Sequence, residues 1–307
     1  MFQKNISLRQ YTSFKIGGAA KYFFEAKSSE NLIKAVKEAN QKKIPIFVLA
    51  GGTKLLVGDK GFNGLVVKIK NSKFKIQKNK IISEAGVGLA RLVIASLKAG
   101  LTGLEWATEI PGTVGGAVHG NSGAFGSSIS EIVKSVTALN LDNLKIKKYS
   151  RPQCRFGYRD SVFKHNQNVI LLVELQLKKG DPKKSLTIIR EYLKRRRKRI
   201  PVYQSAGSIF KNYELRSMNY KNDHLVKMFP ELKKEIKGGK IPVAWFIEKC
   251  GLKGRQIGGA KISEKHANFI VNFNKAKAKD VSALINLVKK QVNKKFGINL
   301  EEEIICV

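Results

Sequence analysis

Hydrophobic positions recur at the three- and four-residue spacing of a helix in five segments of this chain. They predict helices over residues 28–42, 89–99, 181–199, 241–249 and 280–296. Ser28, the first residue of the first segment, is expected to cap that helix. Gly100 and Gly297 directly follow the segments 89–99 and 280–296 and are expected to end those helices. The first and the last of these predicted helices are amphipathic.

Other segments are short apolar runs or partly alternate between apolar and polar residues, which is typical of strands. They predict strands over residues 44–49, 65–69, 80–85, 132–141, 145–149, 169–177 and 269–272. Because these short strands alternate with few helices, the sequence predicts an α+β fold rather than a regular parallel α/β fold.

Glycine interrupts this pattern most strongly at Gly103–Gly126, where seven of 24 residues are glycine. That density predicts a loop rather than a helix interior or a central strand. A second tight turn, Gly51-Gly52-Thr53, follows an apolar run. Glycine-rich turns expose backbone N–H groups that bind phosphates, so the two turns suggest one diphosphate ligand such as a dinucleotide.

The polar chemistry excludes several classes of protein. Three cysteines without short spacing predict neither a disulfide framework nor a metal site, and the four histidines show no metal-binding pairing, so no metal is expected. No apolar stretch is long enough to span a bilayer, and the N-terminus lacks the apolar core of a signal peptide. We therefore expect a cytoplasmic protein without membrane insertion.

The formal net charge of +35 would attract polyanions and anionic substrates. The basic run Arg195–Arg199 could form a nucleic-acid patch, but lysines are spread along the whole chain and no aromatic residues interleave with the run. We therefore expect no specific nucleic-acid partner. The oligomeric state stays open, with a monomer as the default.

Four ordered motifs carry a resemblance to a known family. They are the glycine-rich loop IPGTVGGAV…NSGAFG, Cys154–Lys164 (CRFGYRDSVFK), Ala206–Asn212 (AGSIFKN) and Leu300–Ile304 (LEEEI). The segment Gly251–Asn272 adds a fifth match. Together they resemble the UDP-N-acetylenolpyruvoylglucosamine reductases, flavoenzymes of peptidoglycan precursor synthesis, over nearly the whole chain.

The resemblance implies an FAD-binding unit of the PCMH type with two α+β subdomains, at residues 1–68 and 69–199, followed by an α+β substrate-binding domain at 200–307. It also implies non-covalent FAD, NADPH as the hydride-donating co-substrate and a UDP-sugar substrate. The implied reaction reduces UDP-N-acetyl-3-O-(1-carboxyvinyl)glucosamine to UDP-N-acetylmuramate. The sequence does not decide between NADPH and NADH.

The family's catalytic positions fall on Arg159, Ser208 and Glu303. The resemblance implies that flavin N5 delivers the hydride, that Arg159 and Glu303 stabilise the resulting enolate, and that Ser208 donates the proton. A carboxyl group in the role of Glu303 would work protonated or share a proton with the substrate.

The resemblance also assigns binding residues. Substrate contacts are expected at Tyr158, Arg199, Lys211 and Asn212. The expected FAD contacts are Gly51, Gly52, Thr53, Lys54, Leu55, Pro111, Gly112, Thr113, Gly115, Gly116, Asn121 and Gly123.

The chain departs from the family at three places. The first turn usually reads Gly-x-Gly-Ser-Asn, whereas here Thr53 and Lys54 stand at the last two positions. Tyr213 replaces a common proline, and the stretch 213–240 is longer and more basic than usual. These departures affect the expected FAD and UDP contacts more than the reaction.

Two other functions remain open at this point. One is another FAD-dependent oxidoreductase of the same superfamily, acting on an alcohol or a sugar; such enzymes often carry covalent flavin, for which His119 in the glycine-rich loop would be the candidate. The other is a basic nucleic-acid-binding protein.

Overall fold

A computed structural model describes residues 2–215 and 224–307, so part of the long basic stretch 213–240 lies outside the described residues. The chain forms two compact units. The first unit comprises residues 2–7, 19–52 and 62–198, and the second comprises residues 8–18, 53–61 and 199–307. The predicted subdomain boundaries at residues 68 and 199 stay predictions.

The described residues mix helices and strands, which confirms the predicted α+β class. The helices are α1 (Ser29–Gln41), α2 (Leu89–Lys98), α3 (Val114–His119), α4 (Pro182–Arg199), α5 (His224–Met228), α6 (Val243–Lys249) and α7 (Ala278–Phe296). The strands are β1 (Gln3–Ser7), β2 (Ala19–Ala26), β3 (Ile46–Leu49), β4 (Leu55–Leu56), β5 (Phe62–Ile69), β6 (Phe74–Gln77), β7 (Lys80–Glu84), β8 (Leu101–Thr102), β9 (Gly123–Ala124), β10 (Ser127–Ser128), β11 (Val133–Asn140), β12 (Ile146–Ser150), β13 (Asn168–Gln176), β14 (Lys178–Lys179), β15 (Gln204–Ser208), β16 (Tyr213–Glu214), β17 (Lys240–Ile241), β18 (Gln256–Ile257), β19 (Ala260–Ile262), β20 (Phe269–Asn272) and β21 (Ile305–Cys306).

A four-stranded sheet of the first unit has the order β1-β2-β5-β3, with β2, β5 and β3 parallel. Helix α1 connects β2 to β3 and buries Leu32 and Val36 in the same core as Leu65 of β5. The Ser28 side chain accepts a hydrogen bond from the Asn31 backbone N–H at 3.2 Å, which confirms the predicted cap. The βαβ unit ends at the Gly51-Gly52 turn.

The second sheet of this unit is antiparallel, with the order β12-β11-β13-β7-β6. Ile81, Val136 and Val173 are fully buried in its core. The strands predicted over 80–85, 132–141, 145–149 and 169–177 are confirmed to within one residue at each end. Apolar residues of β7, β11 and β13 face this core, whereas Ile146 of the edge strand β12 is exposed.

The glycine-rich segment differs from its prediction. We expected no helix there, yet Val114–His119 forms helix α3 with Gly115 and Gly116 inside it. The Thr113 side chain caps it by accepting a hydrogen bond from the Gly116 N–H at 3.3 Å. A Cβ atom at Gly115 would lie 2.7 Å from the Cβ of Ala85. Close packing against β7 therefore outweighs the low helix propensity of glycine.

A four-stranded antiparallel sheet, β15-β20-β19-β18, forms the second unit with helices α6 and α7. Helix α7 buries Val281, Leu284 and Val288, as its apolar spacing predicts. Gly297 ends the helix with a φ of 68°, in the left-handed region that glycine enters at little cost. The helices and the strand predicted between residues 241 and 296 are thus confirmed.

Two short early segments belong to the second unit by their contacts. The Asn272 side-chain amide donates to the carbonyl oxygen of Phe14 at 3.0 Å. The carboxylate of Asp59 accepts hydrogen bonds from the Ala278 and Lys279 backbone N–H groups at the N-terminus of α7. No sequence pattern predicted these pairings, because residues more than 200 positions apart make them.

Across residues 2–215 and 224–307, no helix is both long and apolar enough to cross a bilayer.

The packing of α3 makes a testable prediction. Gly115→Ala should lower the free energy of unfolding by about 1–3 kcal/mol, because the added methyl group overpacks against Ala85. Gly116→Ala is the matched control, since its Cβ would meet the nearest atom, the Cβ of Ala50, at 3.6 Å. Urea unfolding of the FAD-free protein measures both, and an equal loss in the two variants would contradict the steric explanation.

Candidate active site

The two predicted glycine turns touch one another in the first unit. A Cβ atom at Gly51 would lie 2.8 Å from the Cα of Gly112, so neither backbone could approach the other with a side chain at Gly51. Gly52 has a φ of 66° and Gly112 a φ of 130°, conformations that favour glycine. The structure therefore brings together the turns that the sequence predicted would bind one ligand.

Backbone donors are available at this contact. Across the described part of the chain, no group accepts a hydrogen bond from the backbone N–H of Gly51, Gly52, Gly112 or Thr113. Backbone N–H groups gathered in this way are suited to binding phosphate oxygens. The glycine cradle, as we call Gly51, Gly52, Gly112 and Thr113, thus fits the diphosphate of a dinucleotide.

Lys68 supports the cradle and was missed by the sequence analysis. Its ammonium group donates a hydrogen bond to the carbonyl oxygen of Ala50, immediately before the cradle. Burial, and to a lesser degree the charge of Lys70, lowers the pKa of Lys68 to about 8. The sequence signal was a lysine within the otherwise apolar strand β5, a place where lysine is uncommon.

Arg159 occupies the corner of a tight turn in the first unit. Its φ of 55° is left-handed, which is unfavourable for arginine and often marks a functional position. The Lys164 ammonium donates to the Arg159 carbonyl oxygen at 2.7 Å and holds this conformation. The guanidinium lies 5.2 Å from the ring centre of Tyr158, so these two predicted site residues form one cation–π contact.

Asn121 links this turn to the glycine-rich segment. Its side-chain amide donates to the Gly157 carbonyl oxygen at 2.7 Å, and the Arg159 guanidinium donates to the Gly123 carbonyl oxygen, also at 2.7 Å. The predicted FAD contacts Asn121 and Gly123 thus lie against the predicted substrate residues Tyr158 and Arg159. Backbone carbonyl groups of the glycine-rich segment thus help to hold the guanidinium.

His119 lies at the end of α3 and is largely enclosed. Burial, reinforced by the charge of Lys164, lowers the pKa of His119 to about 4, while Asp160 acts in the opposite direction. The imidazole is therefore neutral at neutral pH.

The second unit brings Ser208 and Glu303 together through their backbones. The Glu303 N–H donates to the Ile209 carbonyl oxygen at 2.7 Å, and the Lys211 N–H donates to the Glu301 carbonyl oxygen at 2.9 Å. These bonds flank an antiparallel bridge between Phe210 and Glu302. Residues 301–303 of the motif Leu300–Ile304 are therefore paired with the chain that follows Ser208.

Asn268 holds the segment that follows Ser208 through two hydrogen bonds to the backbone of Phe210. This residue is 2% exposed, its side-chain oxygen accepts from the Phe210 N–H at 3.0 Å, and its amide donates to the Phe210 carbonyl oxygen at 2.9 Å. Gly207, with a φ of 73°, turns the chain before Ser208. The sequence analysis did not single out Asn268, although this residue lies in the matching segment Gly251–Asn272.

Lys54 lies beside both proposed catalytic residues of the second unit. Its Nζ is 3.0 Å from Glu303 Oε1 and donates a hydrogen bond to the Ser208 carbonyl oxygen at 2.8 Å. The sequence predicted that Lys54 contacts FAD, and that Glu303 works protonated or shares a proton with the substrate. The structure gives Glu303 a cationic partner, Lys54.

The remaining predicted substrate residues also lie in the second unit. Lys211 forms an ion pair with Glu301, and the side-chain oxygen of Asn212 accepts a hydrogen bond from the Val243 N–H at the start of α6. Arg199 ends α4 and is close enough to His266 for its charge to help burial lower the pKa of that imidazole. His266 Nδ1 in turn accepts from the Asn268 N–H at 3.3 Å.

The basic run of α4 is only partly a surface patch. The Arg196 guanidinium lies 5.3 Å from the ring centre of Phe125, which stacks on Tyr192 at 3.9 Å, and burial lowers the pKa of Arg196. The adjoining depression encloses about 420 Å³ and is lined by Arg190, Leu193, Lys194, Arg197 and Lys198. The expectation that no specific nucleic acid binds to this run stays a prediction.

Known proteins match both units. The C-terminal domain family of UDP-N-acetylenolpyruvoylglucosamine reductase matches residues 199–307, and an FAD-binding domain family matches residues 20–145. The reductase of Caldicellulosiruptor bescii is 40% identical over 99% of this chain and 90% of its own, and that of Clostridium novyi is 37% identical over 99% and 92%. The crystal structure of UDP-N-acetylenolpyruvylglucosamine reductase from Thermus caldophilus is 28% identical, with a TM-score of 0.78, over 100% of this chain and 99% of its own.

The buried imidazole predicts a pH dependence of stability. Because the pKa of His119 falls from 6.5 to about 4 on folding, the unfolded chain binds the proton more tightly, and stability is lost as the pH falls from 6.5 towards 4. His119→Gln should remove about 1–2 kcal/mol of the loss measured between pH 7 and pH 5 by urea unfolding. His165→Gln is the control, since that side chain is 66% exposed; an unchanged profile in His119→Gln would contradict the assignment.

Proposed function

The chain belongs to the UDP-N-acetylenolpyruvoylglucosamine reductase family, and we propose that it reduces UDP-N-acetyl-3-O-(1-carboxyvinyl)glucosamine to UDP-N-acetylmuramate with NADPH. Family membership makes it an oxidoreductase with an FAD-binding domain and a C-terminal domain. The proposal keeps the sequence-based expectations of a cytoplasmic location and a monomer.

One observation carries the proposal most directly. Residues 209–211 pair with residues 301–303, and Lys54 contacts both the backbone carbonyl of Ser208 and the carboxylate of Glu303. Two motifs that are almost a hundred residues apart in the sequence therefore meet, which supports the proposal. A turn serine in an ordinary loop would have no reason to meet the C-terminal acidic motif.

The chemistry adds a hydride to the vinyl CH₂ carbon and a proton to the carbon beside the carboxylate. FAD, when bound, supplies the hydride. Ser208 breaks its O–H bond as the new C–H bond forms, and water returns the proton to the serine oxygen afterwards. Negative charge develops on the substrate before that proton arrives.

Arg159 is assigned to that negative charge. Its guanidinium keeps its charge at any physiological pH and can hold a carboxylate with two parallel hydrogen bonds. The left-handed backbone at Arg159 and the carbonyl groups that fix its guanidinium support a preorganised role. We assign substrate contacts to Tyr158, Arg199, Lys211 and Asn212 alongside it.

The glycine cradle is assigned to the FAD diphosphate. Its unpartnered N–H groups and the close approach of Gly51 to Gly112 support this assignment, since a backbone without side chains can lie directly against phosphate oxygens. We extend the FAD contacts, following the family, to Thr53, Leu55, Pro111, Gly115, Gly116, Asn121 and Gly123.

The purified protein is the first test. We expect flavin absorbance near 450 nm, flavin released into the supernatant on denaturation, and NADPH oxidation that requires the enolpyruvyl UDP-sugar. A colourless protein without affinity for FAD would overturn the proposal. Flavin that stays attached after denaturation, together with oxidation of an alcohol or a sugar, would favour the other oxidoreductase class.

Ser208→Ala separates the two half-reactions. FAD binding and flavin reduction by NADPH should change little, whereas reduction of the enolpyruvyl substrate should fall by at least ~10²–10⁴-fold, because the proton donor is lost. Stopped-flow mixing of the prereduced variant with substrate measures this step. Ser205→Ala is the control, because it removes a hydroxyl from the same strand β15. Reoxidation of Ser208→Ala at the wild-type rate would show that the proton comes from another donor.

A further inference from the structure

Lys54 is a predicted FAD contact whose ammonium group contacts Glu303 and the backbone of Ser208. Its Nζ lies 3.0 Å from Glu303 Oε1 and 2.8 Å from the Ser208 carbonyl oxygen. The Cβ of an alanine at position 207 would lie 3.4 Å from the same Nζ. The ammonium group is therefore packed against the backbone that carries Ser208.

The residue type matters at this position. Lys54 places a cation beside Glu303. The Glu303 side chain is only 14% exposed, so water compensates its charge poorly. An ion pair in such a place interacts more strongly than one on an open surface.

We propose that Lys54 is a positioning residue that holds Glu303 as an oriented carboxylate and fixes the backbone of Ser208. This inference rests on the proposed function, in which Ser208 is the proton donor. A lone carboxylate would repel the negative charge that develops on the substrate. Paired with Lys54, Glu303 adds no net charge at that point and keeps a defined orientation.

The backbone around Lys54 is held independently of its side chain. The Ile305 N–H donates to the Lys54 carbonyl oxygen at 2.8 Å, and β4, which begins at the next residue, pairs in parallel with β21. Leu55 and Leu56 of β4 are buried. Changing the Lys54 side chain should therefore leave residues 301–306 in place, so that its effect reports on the ammonium group.

Lys54→Met tests this role in the FAD-loaded enzyme, because methionine keeps most of the length without the charge. We expect kcat for reduction of the enolpyruvyl substrate to fall roughly 10- to 100-fold, the usual range for losing a charged positioning contact. Flavin reduction by NADPH, the Kd for FAD and the KM for the UDP-sugar should each stay within about threefold. Lys54→Arg should recover most of the rate, because it restores the cation.

A fall in kcat without a change in KM, and its rescue by Lys54→Arg, are readouts that a merely structural role would not produce. Lys289→Met is the matched control: it breaks the neighbouring ion pair with Glu302 and should leave kcat unchanged.

A double-mutant cycle with Glu303→Gln decides the matter. If Lys54 acts through Glu303, the double variant Lys54→Met/Glu303→Gln should be no slower than Glu303→Gln alone. Additive losses of rate in the double variant would overturn the inference. A joint loss of FAD affinity and of both half-reactions in Lys54→Met would also overturn it, and would favour a contact between Lys54 and the FAD diphosphate.

The same four proteins also separate this inference from the proposed function. Urea unfolding of the FAD-free proteins should show the same coupling between Lys54 and Glu303, and additive stabilities would overturn the ion-pair role. Coupled stabilities in a wild-type protein that does not reduce the enolpyruvyl substrate would contradict the proposed function while leaving the ion pair established.

Discussion

The backbone hydrogen bonds between residues 209–211 and residues 301–303 are the interaction on which the chemistry of the second unit depends. They hold the last residues of the chain beside β15, and the parallel pairing of β4 with β21 adds Lys54 to the same place. Main-chain hydrogen bonds fix the positions of these backbone segments without depending on any one side chain. The side chains of Ser208, Glu303 and Lys54 are therefore not needed to hold the segments together. Asn268 completes this arrangement from within the core.

In the first unit, a steric constraint on glycine residues positions the backbone segments. Gly51 and Gly112 approach so closely that no side chain fits at Gly51, and Gly115 presses α3 against Ala85. The glycines thus serve two purposes, since they let the elements pack and they leave N–H groups exposed for a ligand. This explains why a segment with poor helix propensity contains a helix at all. Its stability comes from tertiary contact rather than from local preference.

The charges of the site are arranged in pairs despite the large positive excess of the chain. The three consecutive acidic residues 301, 302 and 303 each meet a different lysine. The Arg159 guanidinium donates a hydrogen bond to the Gly123 carbonyl oxygen, which helps to fix its orientation. The net charge of +35 therefore describes the surface as a whole and says little about the local balance at these residues.

The sequence by itself determined the local elements and the chemical motifs. Apolar spacing located α1, α7 and four strands of the five-stranded sheet, β7, β11, β12 and β13, whereas β6 was not predicted. The ordered motifs identified the family and, through it, predicted catalytic roles for Arg159, Ser208 and Glu303. Tertiary structure alone decided which distant groups meet: Asn268 at Phe210, Lys68 at the carbonyl of Ala50, and Lys54 at Glu303. Such contacts join residues far apart in the chain, and nothing in the local spacing records a partner that only folding brings near.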